Sequence, residues 1–166
     1  VACSSKLSES KVKDLVTDCL KAHPNYGESS ISTGKLTYLS ESDITNYQAL
    51  KSKGLITFDK KEDVNGWFKN VYYIVALTEK AKPFVLESKE SIGTTANVGR
   101  LYKLELDKVN TIQEIPSLNA AEVSVSFKKE DKTPFYDLLE TDKTEFVNRK
   151  IAIKKTENKG WVYCED

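Results

Sequence analysis

One histidine, two arginines and no long apolar run: these shortages restrict the chain before any motif is read. The longest apolar stretches, such as Ile74-Val75-Ala76-Leu77, have the length of buried strands. A membrane-spanning helix needs about 20 consecutive apolar residues. Arginine occurs only at Arg100 and Arg149, and the 25 basic residues are balanced by 25 acidic ones. Zero net charge gives no long-range field toward nucleic acid, and arginine is the residue that grips phosphates and base edges bidentately. No nucleic-acid partner is expected.

The lone histidine, His23, stands before Pro24 at the end of a helical pattern, where imidazole bonds terminal carbonyls and suits the negative end of the helix dipole. Without a second histidine, zinc sites rich in that ligand are excluded, and neither spaced cysteines nor an HExxH pattern replaces them. No serine occupies a Gly-x-Ser-x-Gly elbow, and Asn97-Val98-Gly99 is far from a phosphate loop. Glu140, Asp142 and Glu145 form an acidic cluster, but with Lys143 and Lys129 interleaved it reads as a solvated charged face rather than a glycosidase pair. The expectation is a protein with no catalytic residues, no metal and no cofactor.

Three cysteines leave an odd one out. Cys19 shares a helical stripe with apolar residues and reads as a small buried hydrophobe, and Cys164 as a strand residue. A Cys19–Cys164 pair is the other possibility, which spacing alone leaves open because a disulfide needs Cα atoms within about 4.4–6.8 Å.

What is present suffices for a folded core: 39% of the residues are hydrophobic. Ser10 to His23 reads as an amphipathic helix, with Val12, Leu15, Val16, Cys19 and Leu20 on one stripe. A polar Gly/Ser/Thr loop follows, then a short strand at Lys35–Leu39. Ser42 or Asp43 caps a second helix to Lys53, and Gly54 ends it. Leu55–Phe58 and Val71–Leu77 are strand-like, separated by the charged Asp59–Asp63 run and the Asn65-Gly66 turn dipeptide. Thr78 caps a short helix to Val85. Residues 88–99 have a linker's composition. Beyond them Tyr102, Leu104 and Leu106, then Val123, Val125 and Phe127, alternate with polar partners. A short helix is expected at Thr133–Leu139, and two strands, Lys150–Lys154 and Trp161–Tyr163, are joined across Asn158-Lys159-Gly160.

Two resemblances follow. Val1-Ala2-Cys3-Ser4 resembles the lipobox of bacterial lipoproteins: an aliphatic and a small residue before the cysteine that receives lipid, and a small residue after it. It implies a polar tether over residues 1–9, a lipid on Cys3 and attachment to the cell envelope. Serine after the cysteine resembles the pattern of outer-membrane lipoproteins of Gram-negative bacteria. The order of elements from Ser10 to Glu87, with its Leu-Lys-Ser-Lys-Gly-Leu-Ile stop, resembles a winged-helix domain. Its presumptive second helix offers Asn46, Gln48, Lys51 and Lys53 but no arginine, so the DNA-binding role is not carried over.

The expected architecture is therefore α+β. A winged-helix-like domain at 10–87 and a linker at 88–99 precede a small, mostly antiparallel sheet with a short helix at 100–166. The expected function is a non-catalytic binding or structural module of the envelope, held to the membrane by its lipid and meeting an envelope protein or ligand. The alternative is a cytoplasmic winged-helix regulator that binds DNA. Trp67 and Phe68 carry the most functional promise. Two adjacent large aromatics among Lys, Asp and Asn would anchor a partner if exposed. The more economical expectation is that one folds back onto its own domain or packs on the C-terminal sheet.

Overall fold

The computed structural model describes residues 5–164, and Cys3 lies outside the described residues. Strands hold 53% of the residues and helices 22%, so the chain is mostly β and antiparallel, and the expected winged helix followed by a small sheet is overturned. The chain divides into two compact units, one comprising Tyr26–Tyr102 with Lys132–Asp142, the other the remaining segments.

The second of these units begins with helix α1 (Glu9–Ala22), capped by Ser8, whose side chain accepts from the Lys11 N–H. Val12, Val16 and Leu20, one turn apart, are its buried residues. Strands β5 (Thr94–Ile115), β6 (Ala120–Glu130), β7 (Phe146–Thr156) and β8 (Gly160–Val162) are antiparallel neighbours in that order, β5 contributing from Lys103 onward. Ala121, Val123, Val125 and Phe127 alternate along β6 and are buried, as their period of two requires. Cys19 of α1 is joined to Cys164 beyond β8, with Cα atoms 5.6 Å apart. Cys19 is only half-buried, and the plain core role expected for it gives way to a covalent one.

The Tyr26–Asp142 unit explains why the winged helix fails. Residues 26–36, taken in part for a loop, form strand β1 (Tyr26–Leu36). It pairs with β3 (Phe68–Leu77) on one side and with the first part of β5 on the other. The winged-helix reading allows only the short strand Lys35–Leu39 between its helices. Serine, threonine and glycine conceal this strand, in which Ile31 and Thr33 are buried two residues apart and Leu36 is buried out of that phase. The buried Asn97 amide on β5 donates to the Ile31 carbonyl (2.9 Å) and to Thr33 Oγ1 (3.0 Å), satisfying the polar interior. Gly27 is not a loop residue either: a Cβ there would stand 2.2 Å from the Tyr102 ring. The DNA-binding alternative rested on the winged helix and loses its footing with it.

Helix α2 (Glu41–Ser52) is capped by Ser40, not Ser42 or Asp43. Asp43 occupies the third helical position of a capping box, and its carboxylate accepts from the Ser40 hydroxyl (2.6 Å) and N–H (3.0 Å). Those bonds, the hydroxyl's first, hold the Asp43 carboxyl below its ordinary range. Tyr47 of α2, Phe58 of β2 (Ile56–Asn65) and Tyr73 of β3 stack in a row, with ring centres 5.4 and 4.9 Å apart. Leu50, Leu55, Val75 and Leu101 belong to the same core. The short helix expected from Thr78 is a 3-10 turn at Lys82–Phe84. Residues 88–99, read as linker, are strand: β4 (Val85–Ser91) pairs with β5 across an Ile92-Gly93 turn. Helix α3 (Tyr136–Leu139) lies in the expected segment.

Candidate functional site

The β2–β3 hairpin carries Trp67 and Phe68. Asn65 pairs with Phe68, leaving Gly66 and Trp67 as the turn. Gly66 takes φ +62°, the positive angle a type II′ turn requires at its first central position, and Trp67 follows with negative φ. Both aromatics point into solvent, Trp67 fully exposed and Phe68 77% exposed, so the expectation that one folds back or packs on a sheet is overturned. A hairpin tip this narrow has no second layer beneath it for a side chain to cover.

Pairing places other apolar side chains at the same end of the unit. Leu36, the last residue of β1, pairs with Tyr73, so the hairpin runs on for the five residues back to Phe68, roughly 17 Å. The Ile92-Gly93 turn lies level with the end of β1, where the Lys35 N–H donates to the Gly93 carbonyl (3.1 Å). Ile92 is fully exposed there, and Tyr38, two residues past β1, is 96% exposed. Trp67, Ile92, Tyr38 and Phe68 are the four most exposed large hydrophobic residues among the described residues. All four stand at the C-terminal end of β1. Lone exposed apolar residues are ordinary; a cluster on one end of a unit marks a contact surface.

Charges around the cluster are mixed and mutually engaged. Lys69 pairs with Glu62 at 2.9 Å, and that bond chiefly holds the Glu62 carboxyl below its ordinary range. Lys60 adds a longer contact at 3.9 Å. Lys35 Nζ lies 4.2 Å from the centre of the Tyr72 ring. Two open clefts flank the point where the chain leaves β1. One, of about 420 Å³, is lined by Thr37, Tyr38, Leu39, Ser40, Val71 and Tyr73. The other, of about 450 Å³, lies among Lys35, Tyr38, Lys69, Asn70 and Tyr72.

The remaining residues singled out in the sequence fall elsewhere. His23 is the C-cap of α1, with its N–H on the Cys19 carbonyl. Glu140 accepts from the Asp142 N–H (3.0 Å), and Glu145 pairs with Lys128 (3.5 Å), in separate units. Tyr38 and Ile92 were missed. Ile92-Gly93 before Thr94-Thr95 is a turn signal that the linker composition hid, and nothing local distinguishes Tyr38 from a strand residue. No protein-family model, curated protein or solved structure matches this chain.

Proposed function

We propose that this protein is a non-catalytic binding module of the bacterial cell envelope, tethered through Cys3 and meeting a protein partner through the Trp67, Phe68, Tyr38 and Ile92 end of its Tyr26–Asp142 unit. The observation that carries the binding role is the joint exposure of those four side chains at one end of β1. Leaving a large apolar side chain in water forgoes about 1.5–3 kcal/mol of burial, which a partner would recover. The Val1-Ala2-Cys3-Ser4 run supports lipid attachment, to the outer membrane by the serine after the cysteine. The Cys19–Cys164 disulfide supports an oxidising compartment and leaves Cys3 outside the pair.

Two substitutions test the two halves of the reading. Cys3→Ser should move the protein from the membrane fraction to the soluble one; a wild type already soluble in its source cell, with an unmodified Cys3 by mass spectrometry, refutes the anchor. Trp67→Ala with Phe68→Ala should abolish capture of envelope proteins while leaving the melting temperature unchanged.

A further inference from the structure

We propose that one end of the unit containing α1 rests on a phospholipid surface: the membrane that holds the lipid on Cys3, met by Leu118 and the lysines around it. The inference rests on the Cys3 anchor proposed above and orients the protein on that anchor. It starts from how little slack the anchor has. The Ser5 carbonyl accepts from the indole N–H of buried Trp161 (3.0 Å), Leu7 is buried, and Ser8 caps α1. Chain fixed to the fold therefore begins at Ser5, two residues from Cys3. Two residues span about 7 Å when fully extended. Cys3 must lie at the surface for its acyl chains to reach the hydrocarbon. Ser5 then stays within one screening length of the headgroups, which is about 8 Å at physiological salt.

The turns at that end suit such a surface. Trp161 is the second residue of β8 and pairs with Lys155; Thr156 pairs with Gly160, and Ala120 with Lys154. The Lys155 N–H also donates to the Asn119 carbonyl (2.7 Å). The β7–β8 turn and the β5–β6 turn therefore stand together beside Trp161 and Ser5. Leu118, in the 3-10 turn Pro116–Leu118, is 69% exposed, the most exposed large apolar residue of this unit among those described. The turn holds it outward: Pro116 fixes the first backbone angle, and Asn119, at φ +47°, donates its N–H to the Pro116 carbonyl (3.2 Å). An open cleft of about 250 Å³ beside Leu118, with Ile115, Ala120, Ile151 and Ala152 in its lining, extends the apolar surface. Charge has the sign that phosphate headgroups attract. The chain is neutral overall, but residues 5–6, 114–119 and 154–160 carry Lys6, Lys154, Lys155 and Lys159 against Glu114 and Glu157. Of the nearby acids, Glu9 is engaged by Lys13 (3.1 Å) and Glu122 by Lys150 (3.2 Å). An exposed apolar residue rimmed by lysines is the pairing that seats a surface in the headgroup layer.

Depth measurements on the native lipidated chain test this. Cys19 and Cys164 are paired, and on the anchor reading Cys3 carries the lipid, so Leu118→Cys supplies a single thiol for a fluorescent label. Phe146→Cys is the control: Phe146 is also exposed and pairs with Lys128, eight residues along β6 from Ala120 and roughly 26 Å away. The protein is reconstituted into vesicles of equimolar phosphatidylethanolamine and phosphatidylglycerol. The label at position 118 should lose most of its emission to lipids bearing a nitroxide on the headgroup and be protected from iodide in the water. The label at position 146 should show the reverse. Lys6→Glu with Lys159→Glu should restore iodide access at position 118 while the protein stays on the vesicles through its lipid; unchanged protection would overturn the part given to the lysines. Equal quenching at 118 and 146, in a chain whose Cys3 is lipidated by mass, overturns the inference and leaves the anchor standing. An unmodified Cys3 in the source cell removes the anchor and the inference together.

Discussion

The two tryptophans make a matched pair of opposite environments. Trp161 on β8 is 5% exposed, and its indole N–H donates to the Ser5 carbonyl (3.0 Å). Truncating a buried tryptophan costs about 3–5 kcal/mol, and the lost hydrogen bond to the chain before α1 lies within that sum. Small domains have about 5–15 kcal/mol in total, so Trp161→Ala should remove about a fifth or more. Trp67 is fully exposed, and its truncation should fall within about 0.5 kcal/mol of wild type. Urea titrations of both variants, followed by far-ultraviolet circular dichroism at a protein concentration where the wild type is monomeric, give the comparison. Trp67→Ala costing more than about 2 kcal/mol would mean that the side chain is covered within its own chain, and the assignment of this end as a contact surface would fail.

Other consequences follow from the covalent and titrating groups. The Cys19–Cys164 bond spans 145 residues, and the chain-entropy account gives about 5 kcal/mol for a loop of that length; Cys19→Ser should lower the urea midpoint strongly, and an unchanged midpoint would refute the bond's role. Ser40→Ala removes one side of the capping box and should cost about 1 kcal/mol, read from the thermal melt. The Asp43 carboxyl is held below the ordinary aspartate value of 3.8, so its contribution is fully present above that pH and is lost as pH falls through its lowered pKa. Stability of Asp43→Asn should therefore differ from wild type at neutral pH, and the difference should shrink as the carboxyl becomes protonated in acid; a difference independent of pH would contradict the assignment.

Much of the fold was legible wherever apolar residues mark the period. Val12, Val16 and Leu20 announce α1, Val123, Val125 and Phe127 announce β6, and the Gly54 stop with φ +71° ends α2 as expected. β1 was not legible, because its buried positions include Thr33 and its glycines serve close approaches rather than turns. Asn97 and Tyr102, which make β1 a strand, lie more than 60 residues away along the chain. That single omission produced the winged helix. The disulfide was hidden for a related reason, since only the tertiary fold brings Cys19 to Cys164. At the site, composition identified Trp67 and Phe68 and left their direction open. A side chain in a two-residue turn has nothing to fold onto, which becomes plain only with the Asn65–Phe68 pairing. Tyr38 and Ile92 join them through strand register, a relation between segments that no local motif expresses.

The central claim is that the exposed end of β1 is a contact surface, and photo-cross-linking in the source cell tests it most directly. A photoreactive phenylalanine analogue substituted at Trp67, and separately at Lys13, which lies on the exposed side of α1 and pairs with Glu9 at 3.1 Å, would be irradiated in intact cells and the adducts identified by mass. The account predicts a discrete protein adduct from position 67 and none from position 13. Equal, diffuse labelling at both positions would contradict it.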